Sequence, residues 1–215
     1  MKFEIAQENC CAPVGRADAR RRHLLEIARA LFIERGFHRT GMAQIAEVSQ
    51  VKVGQIYRDF ACKEDIIAAI VEADISNLLR EDELAAAVEG RDLDTVRAWV
   101  RGIGAKHDPD IATRDACMFA EIVAEAAHNE RIANIHRSID QRVRKSLSSA
   151  LLALAPSPES AEEREQLTEL ILALTAGMKL RQILNPDFDI ERRNRLMLKV
   201  IDVCIERLIE DHAEG

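Results

Sequence analysis

At 215 residues, with 47% apolar and 31% charged side chains, the chain can bury a sizeable core and is not a low-complexity or disordered polymer. No stretch reaches the roughly 18 consecutive apolar residues of a membrane helix. Residues 1–7 carry an acid and no signal-like apolar run, so a cytoplasmic location is expected. Five cysteines (10, 11, 62, 117 and 204) are odd in number and lack zinc-site spacing, which speaks against a disulfide framework or metal centre; no cofactor is expected.

Only five prolines, nine glycines and 4% aromatics interrupt a composition rich in Ala, Leu, Ile, Glu and Arg, so the fold class is all-α. Residues 1–15 lack periodicity, end in Ala12-Pro13-Val14-Gly15 and read as a flexible tail. From Asp18, a candidate N-cap, Leu24, Ile27, Ala28, Leu31 and Phe32 recur at helical steps and form a core-facing stripe. Gly36 stops this helix, with Phe37 placed for the accompanying apolar contact. A second helix opens at Thr40 or Gly41 and ends near Val48. After a turn at Ser49-Gln50-Val51 a third spans Val53 to Asp59. A strand over 51–57 is disfavoured by Gly54, Gln55 and the lack of a partner strand. After a break at Phe60-Ala61-Cys62, a long helix begins at Lys63 and contains Ile66, Ile67, Ile70 and Ile75.

Beyond Gly90, Asp92 or Asp94 caps a helix through Val96, Trp99 and Ile103 to about His107, where Asp108-Pro109 interrupts it. Further helices are expected over about 111–128, 130–154, 160–184 and 189–212. Ser160 and Glu163 offer a capping box for the fourth of these five helices, and Asp189 a cap for the last.

Although the chain carries a net charge of −7, residues 16–63 are net basic, with Arg16, Arg20, Arg21 and Arg22 clustered at the start. A basic head on an acidic body is the asymmetry expected when one end meets phosphate. The arginine cluster fits a phosphate clamp, a minor-groove arm or a solvated first turn equally well.

Phe32, Gly36, Phe37, Thr40, Ile45-Ala46, Val51, Gly54, Ile56-Tyr57, Phe60 and Lys63-Glu64 together resemble, at many fixed spacings, the DNA-binding signature of the TetR family of repressors. The likeness covers about residues 20–67. It is looser at 120–126 and around Gly177 and Asn185-Pro186. It implies a three-helix helix-turn-helix domain over 16–62 and a helical effector-binding and dimerisation domain over 63–215. The DNA-contact set expected from it is Thr40, Lys52, Val53, Gly54, Gln55, Tyr57 and Lys63. Gln55 is placed for adenine, Val53 for a thymine methyl, Lys52 for guanine or phosphate, and Tyr57 and Lys63 for phosphates. Gln50, Lys52, Cys62, Gly41 and Met42 depart from the usual pattern, and Gln50, standing where the family commonly has Gly, implies mild left-handed strain at that turn.

The resemblance also implies a homodimer built on the last two helices, here around Leu170, Leu174, Gly177, Met178, Leu196, Val200, Val203 and Ile205. An effector pocket is expected among Trp99, Ile103, Met118, Phe119, Ile122 and Met178, with His107, His128 and His136 as candidate polar anchors. Glu121 and Glu125 share a helix face that reads as solvated. Cys62, at a helix N-terminus beside Lys63, is a candidate reactive thiol, and Cys10 and Cys11 are weaker ones. The partners implied are double-stranded operator DNA, a second copy of the chain and a small effector, with an efflux system among the candidate targets. The long helix from Lys63 is expected to carry the effector's signal to the head. The alternative, an all-α effector-binding or interaction protein that no longer reads DNA, is opposed by Tyr57, Lys63 and the basic head.

Overall fold

The computed structural model describes residues 15–103, 108–185, 187 and 189–210, and the described residues form helices with no strand. The head comprises α1 (Arg16–Arg35), α2 (Met42–Ser49), α3 (Val53–Asp59) and the start of α4 (Lys63–Leu79). The body continues with α5 (Glu81–Glu89), α6 (Leu93–Gly102), α7 (Pro109–Ala126), α8 (Glu130–Leu154), α9 (Ala161–Leu184) and α10 (Ile190–Glu210).

The head's short helices form where polar breaks and apolar steps dictate. Gly36, at φ 80° and ψ 159°, ends α1 in a region that side chains with a Cβ avoid. Phe37 then folds back against Phe32, ring centroids 5.5 Å apart. Gln50 takes φ 56° and ψ 22°, the left-handed turn expected of its position. Leu24, Phe32, Ile45, Ile56, Ile66 and Ile67 are essentially inaccessible and knit the four helices together. Burying each such side chain stabilises by roughly 1.5–3 kcal/mol. The same cluster reaches Met118 and Ile122 of α7 and Ile132 of α8, so the head is seated on the body through a continuous apolar contact.

In the body, α8 packs against α4, α5, α6, α7, α9 and α10. Side-chain caps start several of its helices: Asp92 on Thr95 N–H, Asp108 on Asp110 and Ile111 N–H, Asn129 on Arg131 and Ile132 N–H, and Asp189 on Arg192 N–H. Two expectations fail here. Asp18 lies inside the first turn of α1, whose N-cap is Gly15. Ser160 makes no capping bond to α9; Ser157 instead caps the preceding single turn, and Arg164 holds the loop through the carbonyls of Ala155 and Ser157, both at 2.6 Å.

The helix expected from Lys63 runs to Leu79, and a further helix, α5, is not separated from it in the sequence: Arg80, at φ 41° and ψ 52°, breaks the helical run between them. The break frees the buried Leu79 carbonyl, and the Trp99 indole N–H donates to it. Arg142 of α8 then spans the break, bonding Glu72 on α4 at 2.6 Å and Glu81 on α5 at 2.6 and 2.8 Å.

Candidate nucleic-acid interface and effector cavity

On α3, the apolar Ile56 points into the head and is fully buried. Helical spacing therefore turns Lys52, Val53, Gly54, Tyr57 and Arg58 outward, and all are exposed. Val53 is 44% and Tyr57 54% exposed, so both present apolar surface beside the basic side chains of Lys52 and Arg58. A Cβ at Gly54 would meet nothing within 4 Å, so the helix surface there is bare backbone. Gln55 is half-buried. Assigned with its amide oxygen toward Arg20, it accepts from Nη1 and Nε at 2.9 and 3.1 Å, and Arg20 also faces Asp59 at 3.5 Å. One member of the arginine cluster thus braces α1 against α3. Arg21 lies over the Phe60 ring at 4.9 Å, while Arg16 and Arg22 are exposed.

Thr40 does not belong to this surface. Its side chain is fully buried, and Oγ1 shares its one proton between the carbonyls of Gly36, at 2.9 Å, and Leu31, at 3.2 Å, where the chain leaves α1. Lys63 is half-engaged. Its Nζ donates to the Phe37 carbonyl at 2.9 Å and sits 4.0 Å from the Phe37 ring centroid, which leaves two ammonium donors.

The face carrying Glu121 and Glu125 is not solvated as expected. Glu121 accepts from the Phe37 N–H at 3.0 Å, and Glu125, 5% exposed, pairs with His38 at 2.9 Å. Together with Lys63 they clasp the turn between α1 and α2 from the body side. Cys62 also departs from expectation. Burial, with a hydrogen bond to Glu64, pushes its thiol up, against the activation that a helix N-terminus would provide. Cys10, Cys11 and His107 lie outside the described residues.

A cavity of about 210 Å³ lies among α4, α7, α8 and α9. Four of the expected residues, Ile103, Met118, Phe119 and Ile122, line it, as does His136. Trp99 and Met178 do not: Trp99 is 3% exposed and capping Leu79, and Met178 packs against the body core. His128 is exposed at the end of α7 and also lies outside the lining. The expected set missed the lining residues of α4 and α9 and most of those of α8; among the missed wall residues, Asp74 and Asp115 hold Arg29 of α1.

Along α9 and α10, Leu170, Leu180, Ile183, Leu184, Leu196, Val200 and Val203 stand exposed, Leu196 at 59% and Val203 at 55%. Gly177 is half-buried on α9, with nothing within 4 Å of where a Cβ would stand. Leu174 and Met178 pack against the body core instead, and Ile205 is fully buried in it.

Residues 24–70 match the family described as bacterial regulatory proteins, tetR family, and residues 96–206 match the BetI-type transcriptional repressor, C-terminal. The chain belongs to the TetR family of transcriptional regulators. TetR-family regulators bind operator DNA, typically as dimers, and bind small-molecule effectors; they are generally not enzymes. Among relatives, the regulator UidR of Escherichia coli K12 is 28% identical over 166 residues, covering 75% of this chain and 81% of UidR. The repressor KstR2 of Mycobacterium tuberculosis is 40% identical over 53 residues, but these span only 25% of this chain and 26% of KstR2. A putative regulator from Pseudomonas aeruginosa PAO1 shares the fold at a TM-score of 0.70, with 19% identity, covering 91% of this chain and 93% of that one. One from Syntrophomonas wolfei does so at 0.69, with 17% identity over 88% and 96% of the two chains. No helix among the described residues is long and apolar enough to cross a membrane.

Proposed function

We propose that this TetR-family regulator is a repressor that holds a palindromic operator as a homodimer and releases it when a small apolar or amphipathic effector enters the α4–α7–α8–α9 cavity. The observation that carries the DNA half of this reading is the outward face of α3. A recognition helix needs exposed side chains on a narrow, closely approachable surface, and Lys52, Val53, Gly54, Gln55 and Tyr57 provide one. With its oxygen held by Arg20, Gln55 keeps two N–H donors for an acceptor on a base edge, and a bidentate adenine contact requires it to leave Arg20. Lys63 retains donors for a phosphate while anchoring the preceding turn.

Dimerisation is supported by the apolar surface of α9 and α10, where seven large aliphatic side chains stand uncovered within one chain. Effector response is supported by the cavity's position. Val71, Asp74, Ile75 and Leu78 of α4 line it, so an occupant that displaces α4 alters the angle of each head. Two heads on one DNA face need recognition helices roughly 34 Å apart, and a coupling of about 1–3 kcal/mol releases the operator several-fold to a hundred-fold.

The test is binding of the purified full-length protein to genomic fragments. A dimer should select palindromic sites, with affinity falling steeply as salt rises because phosphate contacts release counterions. Equal affinity for every duplex, or none at any ionic strength, removes the repressor reading.

A further inference from the structure

Most of the cavity wall is apolar, and its ionisable groups are unequally divided. Asp74, Asp115 and Asp140 are acidic; Lys179 and His136 are the others. Two of the chain's own cations already exploit this wall. Arg29, only 7% exposed, reaches out of α1 to place Nη1 and Nη2 on Asp74 at 2.8 and 2.5 Å, with Nη1 4.0 Å from Asp115. Burial works to lower the pKa of Arg29, but the Asp74 hydrogen bonds and the charges of Asp74, Glu26 and Asp115 outweigh it and hold the guanidinium charged. Lys179 of α9 independently sets its Nζ 4.9 Å from the centroid of the Phe119 ring. The wall therefore offers two features that hold positive charge, a carboxylate and an aromatic face. Asp115 and Phe119 are four residues apart on α7, which puts them on one face of that helix, one turn apart.

We propose that the cavity takes a small organic cation with an apolar body. Its charged head lies between the Asp115 carboxylate and the Phe119 ring, and its body runs along Ile75, Leu78, Ile103 and Ile139. Asp115 and Phe119 are then the residues that set the preference for positive charge. This rests on reading the cavity as the effector site. The head of the ligand takes the ring face from Lys179 and draws Asp115 away from Arg29. That 4.0 Å contact is the longest Arg29 makes to the wall and yields first, while the bidentate pair with Asp74 persists. Loosening it slackens the tie between α7 and α1, so the same contact that recognises the ligand reports to the DNA-binding head. Arg29 balances Asp74, and Arg144 faces Asp140 at 3.5 Å, so what an anionic head reaching Lys179 would meet is the Asp115 carboxylate one turn from Phe119, which disfavours it.

Three probes of one skeleton separate the possibilities: 2-phenylethylammonium, 2-phenylethanol and phenylacetate, with charges of about +1, 0 and −1 at neutral pH. Each is titrated calorimetrically into the full-length protein, wild type, Asp115→Asn and Phe119→Leu. The ammonium should bind at least about tenfold more tightly than the alcohol, and the carboxylate most weakly. Asp115→Asn should collapse the preference for the ammonium to within about threefold, and Phe119→Leu should reduce it while sparing the alcohol. Should Asp115→Asn fail to fold, Phe119→Leu carries the test alone. Alcohol or carboxylate binding as tightly as the ammonium overturns the cation assignment and leaves the cavity as the effector site. Undiminished ammonium preference in the folded variants overturns the assignment of Asp115 and Phe119. Silence from all three probes up to about 10 mM removes the effector reading with it.

Discussion

Single side chains divide here into those whose role is local and those held by distant partners. Gln55 and Lys63 show what this means for DNA recognition. Gln55→Ala should relax preference at one base pair by about 1–3 kcal/mol, because it removes donors aimed at a base edge. Lys63→Ala should weaken all sequences alike and flatten the salt slope, because a phosphate contact carries no sequence information. Fluorescence anisotropy against a mismatch series in rising salt separates the two, and a sequence-dependent effect of Lys63→Ala would displace the docking of α3. Because Lys63 also binds the Phe37 carbonyl, its removal should lower the melting temperature. The outward residues of α3 were legible from the sequence, since a seven-residue helix with one buried Ile fixes the opposite face. Trp99, Lys63 and Arg29 were not. Their partners lie 20, 26 and 45 positions away, and no local pattern marks Trp99 as a cap for Leu79 or Arg29 as a charge buried within an apolar stripe.

Helix boundaries follow the same division. The ends of α1, α2 and α3 were readable because their stop signals are local: a glycine with positive φ at Gly36, a left-handed Gln50, and the Phe60 break. The split between α4 and α5 escaped because nothing near Arg80 resembles a glycine stop. The available signal was the acidic run Glu81, Asp82 and Glu83, a first turn suited to a helix N-terminus. Gly36 offers the sharper test of element-level reasoning. An added Cβ would meet Glu121 Oε2 at 3.5 Å, an ordinary contact, so space is not the obstacle. The backbone is: at φ 80° and ψ 159°, alanine is strained by about 1–3 kcal/mol. Gly36→Ala should lower stability by that amount in urea titrations. It should also weaken DNA binding, since the turn it distorts carries the Phe37 N–H held by Glu121 and the Phe37 carbonyl held by Lys63. A variant as stable as wild type would mean that the turn adopts another backbone at no cost. α7 gains its importance here, with Met118, Phe119 and Ile122 on the cavity and Glu121 and Glu125 on the turn below the head. α4, the helix expected to carry the signal, begins at Lys63 and lines the cavity, and α7 joins it by lining the cavity and holding the turn between α1 and α2.

At the scale of the whole molecule the question is what covers the aliphatic face of α9 and α10. Leu170, Leu184, Leu196, Val200 and Val203 are exposed within one chain, while Met197, Ile201 and Ile205 on the opposite side of α10 fill the core. Gly177 discriminates between a surface and an interface. Within one chain a Cβ there meets nothing within 4 Å, so leucine should fit without disturbing the fold. If α9 crosses its copy at this point, the same leucine is forced into a close helix approach, at a typical overpacking cost of about 1–3 kcal/mol. That cost corresponds to a dimer weakened by about five- to two-hundred-fold. Gly177→Leu should therefore leave helical content and low-concentration melting near wild type while sedimentation velocity shows dissociation at concentrations where the parent is dimeric. Leu196→Glu, which places a charge on the exposed face without touching the core, should act in the same direction. Operator affinity should fall with both, because two heads lose the tether that makes the second half-site contact intramolecular. An unchanged dimer in both variants moves the interface off this face. Dissociation by Leu196→Glu alone keeps the interface but moves the helix crossing away from Gly177.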